Sequence, residues 1–152
     1  MNLTFCTFSY IRMNIHNKYG IWQFNFFFRG EIVLAFDCNK DIIGNDIGSI
    51  IESNPKGIIV EDIHCLEERL KTVKPDIAIV TTMSLLGDLE DVLRACCNAH
   101  VNVITTCEEA FFASNSNPKL FHELDSLAKA GGITITGCGY QDIFWGNLVS
   151  GL

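Results

Sequence analysis

The chain has 152 residues, 48% of them hydrophobic, and a formal net charge of −7. That length gives one domain with a real core, and the apolar content excludes a disordered chain. The acidic balance argues against nucleic acid, whose phosphates demand a basic surface, but not against a phosphate-bearing cofactor held by backbone amides.

Residues 1–30 read as an irregular or degenerate N-terminal segment. Residues 2–13 and 21–28 look strand-like, with turn material at 17–20, and only Arg29 and Gly30 separate the second run from the next strand. Strands joined that tightly are antiparallel, because a parallel crossover needs about a dozen residues. From residue 31 the chain alternates strands and helices. Residues 31–37 (EIVLAFD) form an apolar strand ending on a carboxylate, and 41–52 a loop with a short helical turn. Residues 57–60 (GIIV) read as a short strand, after which Asp62 caps a helix with the inner face Ile63, Leu66, Leu70 and Val73. Residues 76–82 (DIAIVTT) are a buried strand. The following helix, capped by Ser84, turns Leu85, Leu86, Leu89, Val92, Leu93, Cys96 and Cys97 inward. Residues 101–106 form another strand. Asn117 and Pro118 start a helix lined by Leu120, Phe121, Leu124, Leu127 and Ala128, and Gly131 and Gly132 stop it. Residues 133–136 are the last strand, and 143–152 the start of a further helix. This rhythm predicts an α/β fold with a mainly parallel sheet and flanking helices, its first βαβ unit degenerate and replaced by antiparallel strands.

Seven cysteines without a C-x-x-C pair, and four scattered histidines, predict free thiols and no metal site. No apolar run reaches the ~18 residues of a membrane span, so no membrane partner is expected and the cytoplasm is the expected location.

In an open parallel sheet, ligands bind beyond the carboxyl ends of the strands. Asp37 stands at such an end, where a carboxylate receives ribose hydroxyls and disfavours a 2′-phosphate; its plainer role is a strand-end cap. Thr81, Thr82, Met83 and Ser84 follow the next strand, where hydroxyls and free amides bind ribose or phosphate, or merely cap a helix. Thr105, Thr106, Cys107, Glu108 and Glu109 follow another. The two glutamates suit a cationic substrate or acid–base work, or form an exposed acidic loop over an inert Cys107 thiol. Gly137 and Gly139 allow close approach to the backbone, or a tight turn, beside the polar Tyr140, Gln141 and Asp142. The G-x-G-x-x-G turn of dinucleotide folds is missing: only Gly20 and Gly30 precede the Asp37 strand.

The strings AFD ending at Asp37, DIAIVTTMS at 76–84, ITTCEEA at 104–110 and TGCGYQDIFWGN at 136–147 resemble the amino-terminal domain of the 2,4-diaminopentanoate dehydrogenase family. That family belongs to the dihydrodipicolinate-reductase-like oxidoreductases with Rossmann-type NAD(P)-binding domains. The resemblance implies NAD or NADP as cofactor and oxidative deamination of 2,4-diaminopentanoate to 2-amino-4-oxopentanoate in ornithine degradation. It gives Asp37 the ribose role, lines the cofactor groove with Thr81 and Thr82, and sets Glu108, Glu109, Tyr140, Gln141 and Asp142 near the nicotinamide and the diamino acid; Met83, Ser84, Thr105, Thr106, Gly137 and Gly139 are expected along the cofactor from their place after the strands. Residues 21–25 stand where the family's first strand and glycine turn fall, with Gln23 and Asn25 in place of glycines. On this reading residues 31–152 are a partial NAD(P)-binding domain. The carboxy-terminal catalytic domain is expected to be absent, a homo-oligomer or that second domain is the expected protein partner, and the chain alone is expected to be inactive. The rival expectations are an inactive remnant or partner-dependent nucleotide-binding module, and a different dihydrodipicolinate-reductase-like oxidoreductase.

Overall fold

The structure, a computed structural model, describes residues 3–8, 30–138, 148, 149 and 151. Its strands are β1 (Leu3–Phe8), β2 (Gly30–Asp37), β3 (Val60–Asp62), β4 (Ile77–Val80), β5 (Asn102–Thr105) and β6 (Ile135–Gly137). Between them lie α1 (Ile47–Ile50), α2 (Leu66–Val73), α3 (Glu90–Asn98), α4 (Ala113–Ser116) and α5 (Pro118–Gly131). Short 3-10 turns, Ile63–Cys65, Leu86–Leu89 and Glu109–Phe112, lead into α2, α3 and α4.

The strands form one sheet in the order β3-β2-β1-β4-β5-β6, and every adjacent pair is parallel. The expected mainly parallel α/β sheet is therefore present. The expected antiparallel start is not: β1 comes from the segment set apart as irregular and lies between β2 and β4, parallel to both. The physical reason is length. Residues 9–29 separate β1 from β2, more than the dozen or so a parallel crossover needs. The first strand is thus Leu3–Phe8 rather than 21–25; residues 21–28, and most of the helix expected at 143–152, lie outside the described residues. Leu148 and Val149 are helical.

One face of the sheet carries the larger core. Leu34, Phe36, Ala78, Val80 and Val103 meet Leu66 and Leu70 of α2, Leu93 and Cys96 of α3, and Leu120 and Leu124 of α5. Across the top of that layer Arg94 on α3 pairs with Glu90 at 2.7 Å and with Glu123 on α5 at 2.6 Å. A smaller cluster joins Ile32, Ala35, Ile47 and Val60. Ile32 belongs with Ala35 rather than with Leu34 because β2 carries a bulge. Phe5 faces Ile32 while Cys6 faces Leu34, leaving Val33 as the extra residue and shifting the alternation by one.

Several local expectations shift, each for a tertiary reason. The strand expected at 57–60 begins at Val60, because the groups just before it bond to the preceding loop: Ile58 O accepts from Ile47 N–H at 3.0 Å, and Val60 N–H donates to Asn45 O at 2.9 Å. Asp62 does cap, accepting from His64 N–H at 2.9 Å, but the turn it caps is the 3-10 segment before α2. Val73, expected inside, is 36% exposed at the fraying end of α2, where Lys74 turns left-handed (φ 52°). α5 starts at Pro118 as expected; Asn117 stands at its N-cap position without a side-chain capping bond. Gly132, at φ 67°, ends the helix in the left-handed conformation that glycine adopts without steric cost.

The loop before β3 is organised by Asp46. Its Oδ1 accepts from Gly48 N–H at 2.7 Å and Lys56 N–H at 2.9 Å; its Oδ2 accepts from Gly57 N–H at 2.7 Å and Ile58 N–H at 3.2 Å. These bonds, that from Lys56 foremost, hold the carboxyl below its ordinary value of 3.8. A depressed folded-state value contributes stability that is present above 3.8 and lost as pH falls through the folded value. Between about pH 5 and about pH 2.5, the urea midpoint of Asp46→Asn is therefore expected to fall less than that of the parent chain.

Candidate functional site

The strand order reverses direction at β1 and β4: from β1 the chain proceeds to β2 and β3 on one side, while β4, β5 and β6 lie on the other. Beyond the carboxyl ends of strands at such a reversal, the departing loops leave a crevice. The candidate site is that edge.

On the β2 side, Asp37 closes the strand in register with Asp62 of β3. The residue is 3% exposed, and its Oδ1 accepts from Asn39 N–H at 2.7 Å, which turns the chain away from the sheet. On the other side three loops are laced together. Thr106 N–H donates to Val80 O at 3.1 Å, joining the exit of β5 to the end of β4. Ser84 O accepts both Glu109 N–H, at 3.1 Å, and the Cys107 thiol, Sγ at 3.1 Å. The Glu109 carboxylate accepts Leu86 N–H through Oε2 at 2.6 Å. Cys138 N–H donates to Thr105 O at 2.7 Å, adding the exit of β6.

These contacts fix what each expected residue does. Thr81 and Thr82 are half-buried, and Met83 and Ser84 exposed, on the β4 loop. Ser84 does not cap a helix as expected. The 3-10 turn begins after Leu85 with no side-chain cap from its own strand loop, and its Leu86 N–H is met instead by Glu109 from the β5 loop. Leu85, expected inside, is 59% exposed for the same reason. Thr105 is fully buried, its Oγ1 accepting Cys107 N–H at 3.1 Å, whereas Thr106 and Glu108 are exposed. Burial pushes the Cys107 thiol up, away from the thiolate a nucleophile needs. Gly137 lies flat against the Glu109–Phe112 turn: a Cβ there would sit 2.8 Å from the carbonyl carbon and oxygen of Ala110. The structure thus brings 81–84, 105–109 and 137–138 together, with Asp37 across β1 from them. Gly139, Tyr140, Gln141 and Asp142 lie outside the described residues. The Glu109–Leu86 bond spans 23 residues and has no signal in the sequence. Among the described residues no three His, Cys, Asp or Glu side chains converge as metal ligands, and no helix is long and apolar enough to cross a membrane.

Solved structures share this architecture. An amine dehydrogenase from Mycobacterium smegmatis is 30% identical, with a TM-score of 0.86 over 99% of this chain. The fold is that of Rossmann-type dehydrogenase domains. The NADH complex of RSP, a Rex-family repressor, shares this Rossmann fold at 11% identity, with a TM-score of 0.63 over 98% of the chain. A hyperthermophilic archaeal homoserine dehydrogenase, a mutant in complex with NADPH, does so at 16% identity and a TM-score of 0.56 over 90% of it. The chain spans 43% of the amine dehydrogenase, 58% of RSP and 44% of the homoserine dehydrogenase. No protein-family model matches the chain, and no curated protein matches it by sequence. In open parallel sheets of this kind ligands bind beyond such a reversal; here Asp37 stands on one side of it and the laced loops on the other.

Proposed function

We propose that this chain is the nucleotide-binding part of an NAD(P)-dependent dehydrogenase acting on a carbon that bears an amine. The observation that carries this reading is the likeness to the amine dehydrogenase along 99% of the chain, at 30% identity. Asp37 receives the adenosine ribose hydroxyls, and its charge favours NAD over NADP. Thr81, Thr82, Met83, Ser84, Thr106 and Gly137 border the cofactor groove, with Thr105 supporting it from beneath and Gly139 and Tyr140 following. The strings TTCEE at 105–109 and GYQDIFWGN at 139–147 support 2,4-diaminopentanoate as the substrate. A diamino acid carries two cationic amines, for which the exposed Glu108, with Gln141 and Asp142, supplies acceptors. When bound, oxidised NAD(P) would supply the hydride acceptor for the amine-bearing carbon, water the oxygen of the ketone product, and the nitrogen would leave as ammonia. A second domain, on the same protein or a partner, completes the substrate site, as the relatives' greater lengths suggest.

A second reading, a nucleotide-binding module without redox activity of its own, is favoured by one observation. Residues 9–19, which follow β1, contain no glycine, although the diphosphate of a dinucleotide closely approaches a glycine turn there.

Titration of NADH into the purified chain, followed by nicotinamide fluorescence, tests the principal reading. Binding tighter than about 1 mM is expected. Its absence at several-fold higher concentration would sink the reading and leave a Rossmann domain that has lost its ligand.

A further inference from the structure

The two glutamates after β5 differ in their surroundings. Glu108 is exposed, while Glu109 is half-buried with Oε2 held 2.6 Å from the main-chain nitrogen of Leu86. The backbone of the same residue donates to Ser84 O at 3.1 Å. Glu109 therefore grips the β4 loop at two points, one on each side of the exposed Leu85. The Cys107 thiol adds a second donor to the same Ser84 oxygen. Leu85, at the N-cap position of the Leu86–Leu89 turn, gives it no side-chain cap. A carboxylate is the strongest acceptor available for an N–H at the start of a turn, and this one arrives from a different loop.

From this geometry we infer that Glu109 is a positioning residue. It latches the β4 loop to the β5 loop and so sets the path of residues 81–84 along the crevice, rather than exchanging a proton with substrate. The inference rests on the cofactor-groove reading above for what the loop serves, but the latch itself is a property of the fold. Glu109 is half-buried against the β4 loop, whereas Glu108 next to it is exposed and open to a substrate ammonium.

Two measurements on the full chain separate the latch from the cofactor. Amide hydrogen exchange at Leu86 reads the latch directly. In Glu109→Ala the Leu86 amide is expected to exchange at least about tenfold faster, while strand amides such as Val80 and Val103 keep their protection. Glu109→Gln retains a carbonyl oxygen for Leu86 N–H and is expected to restore most of the protection. NADH affinity reads the consequence: a loss of about tenfold in Glu109→Ala, with Glu109→Gln between it and the parent. A merely structural role would lower strand protection and melting temperature together and would not show this order in affinity. Unchanged Leu86 protection in Glu109→Ala overturns the latch. If the parent binds NADH, and Glu109→Ala binds equally well despite lost Leu86 protection, the positioning role is overturned. A parent that binds no NADH, with Leu86 protection still lost in Glu109→Ala, upholds the latch and defeats the cofactor reading instead.

Discussion

Leu93→Ala is expected to destabilise the fold by about 3 kcal/mol, lowering the melting temperature by roughly 6–12 °C. Leu93 is fully buried on α3, at the centre of the cluster that joins β4 and β5 to α2 and α5. Truncation there removes a side chain's transfer energy and leaves a cavity that a sheet on one side and two helices on the other cannot easily close. The consequence extends to the site. α3 continues from the 3-10 turn that holds Leu86 and Leu89, and those two are buried in the same cluster. A loosened α3 therefore also loosens the loop beside the crevice. Urea or thermal unfolding measures the effect, and a loss under about 1 kcal/mol would mean that α3 does not pack as described.

The second large effect is expected at Gly137. An alanine Cβ there would lie 2.8 Å from two main-chain atoms of Ala110 and 2.9 Å from the nitrogen of Phe111. Main-chain atoms cannot rotate out of the way, so the end of β6 and the Glu109–Phe112 turn must separate. The expected cost is about 1–3 kcal/mol. The bond from Cys138 N–H to Thr105 O, one residue further on, should weaken with it. Gly87→Ala is the control: its added Cβ meets open space, and a change within about 0.5 kcal/mol is expected. Equal stabilities for the two variants would contradict the close approach of β6 to the β5 loop.

Much of the fold was legible because a parallel sheet buried on both faces writes itself as apolar runs. Residues 76–82 and 101–106 each contain the strand the structure shows, 31–37 gives all of β2 but its first residue, and Pro118 and Gly132 bound the longest helix. The failures share a cause, which is that tertiary partners leave no local mark. β1 reads as a strand from LTFCTF, but its direction depends on the crossover that precedes β2, and the strand-like look of 21–28 suggested a tight antiparallel connection. Ser84 carries the right chemistry for a cap, yet Glu109 supplies the acceptor from 23 residues away. Leu85 fits the helical repeat, yet the helix starts later and leaves it exposed. At the candidate site, the strand ends point to the loops that the structure brings together at the reversal, because such crevices follow from topology. They did not show that the residues at 105, 107 and 109 spend their polar groups holding the loops together.

We propose above that the crevice flanked by Asp37 and the laced loops takes NAD(P). Calorimetric titration of NADH into the parent chain and into Asp37→Ala, each first shown folded by circular dichroism, tests it most directly. Binding tighter than about 1 mM is expected in the parent, with a loss of at least about tenfold, roughly 1.4 kcal/mol, in the folded variant. Equal affinity in the two chains would contradict it, since the ligand would then lie away from the end of β2.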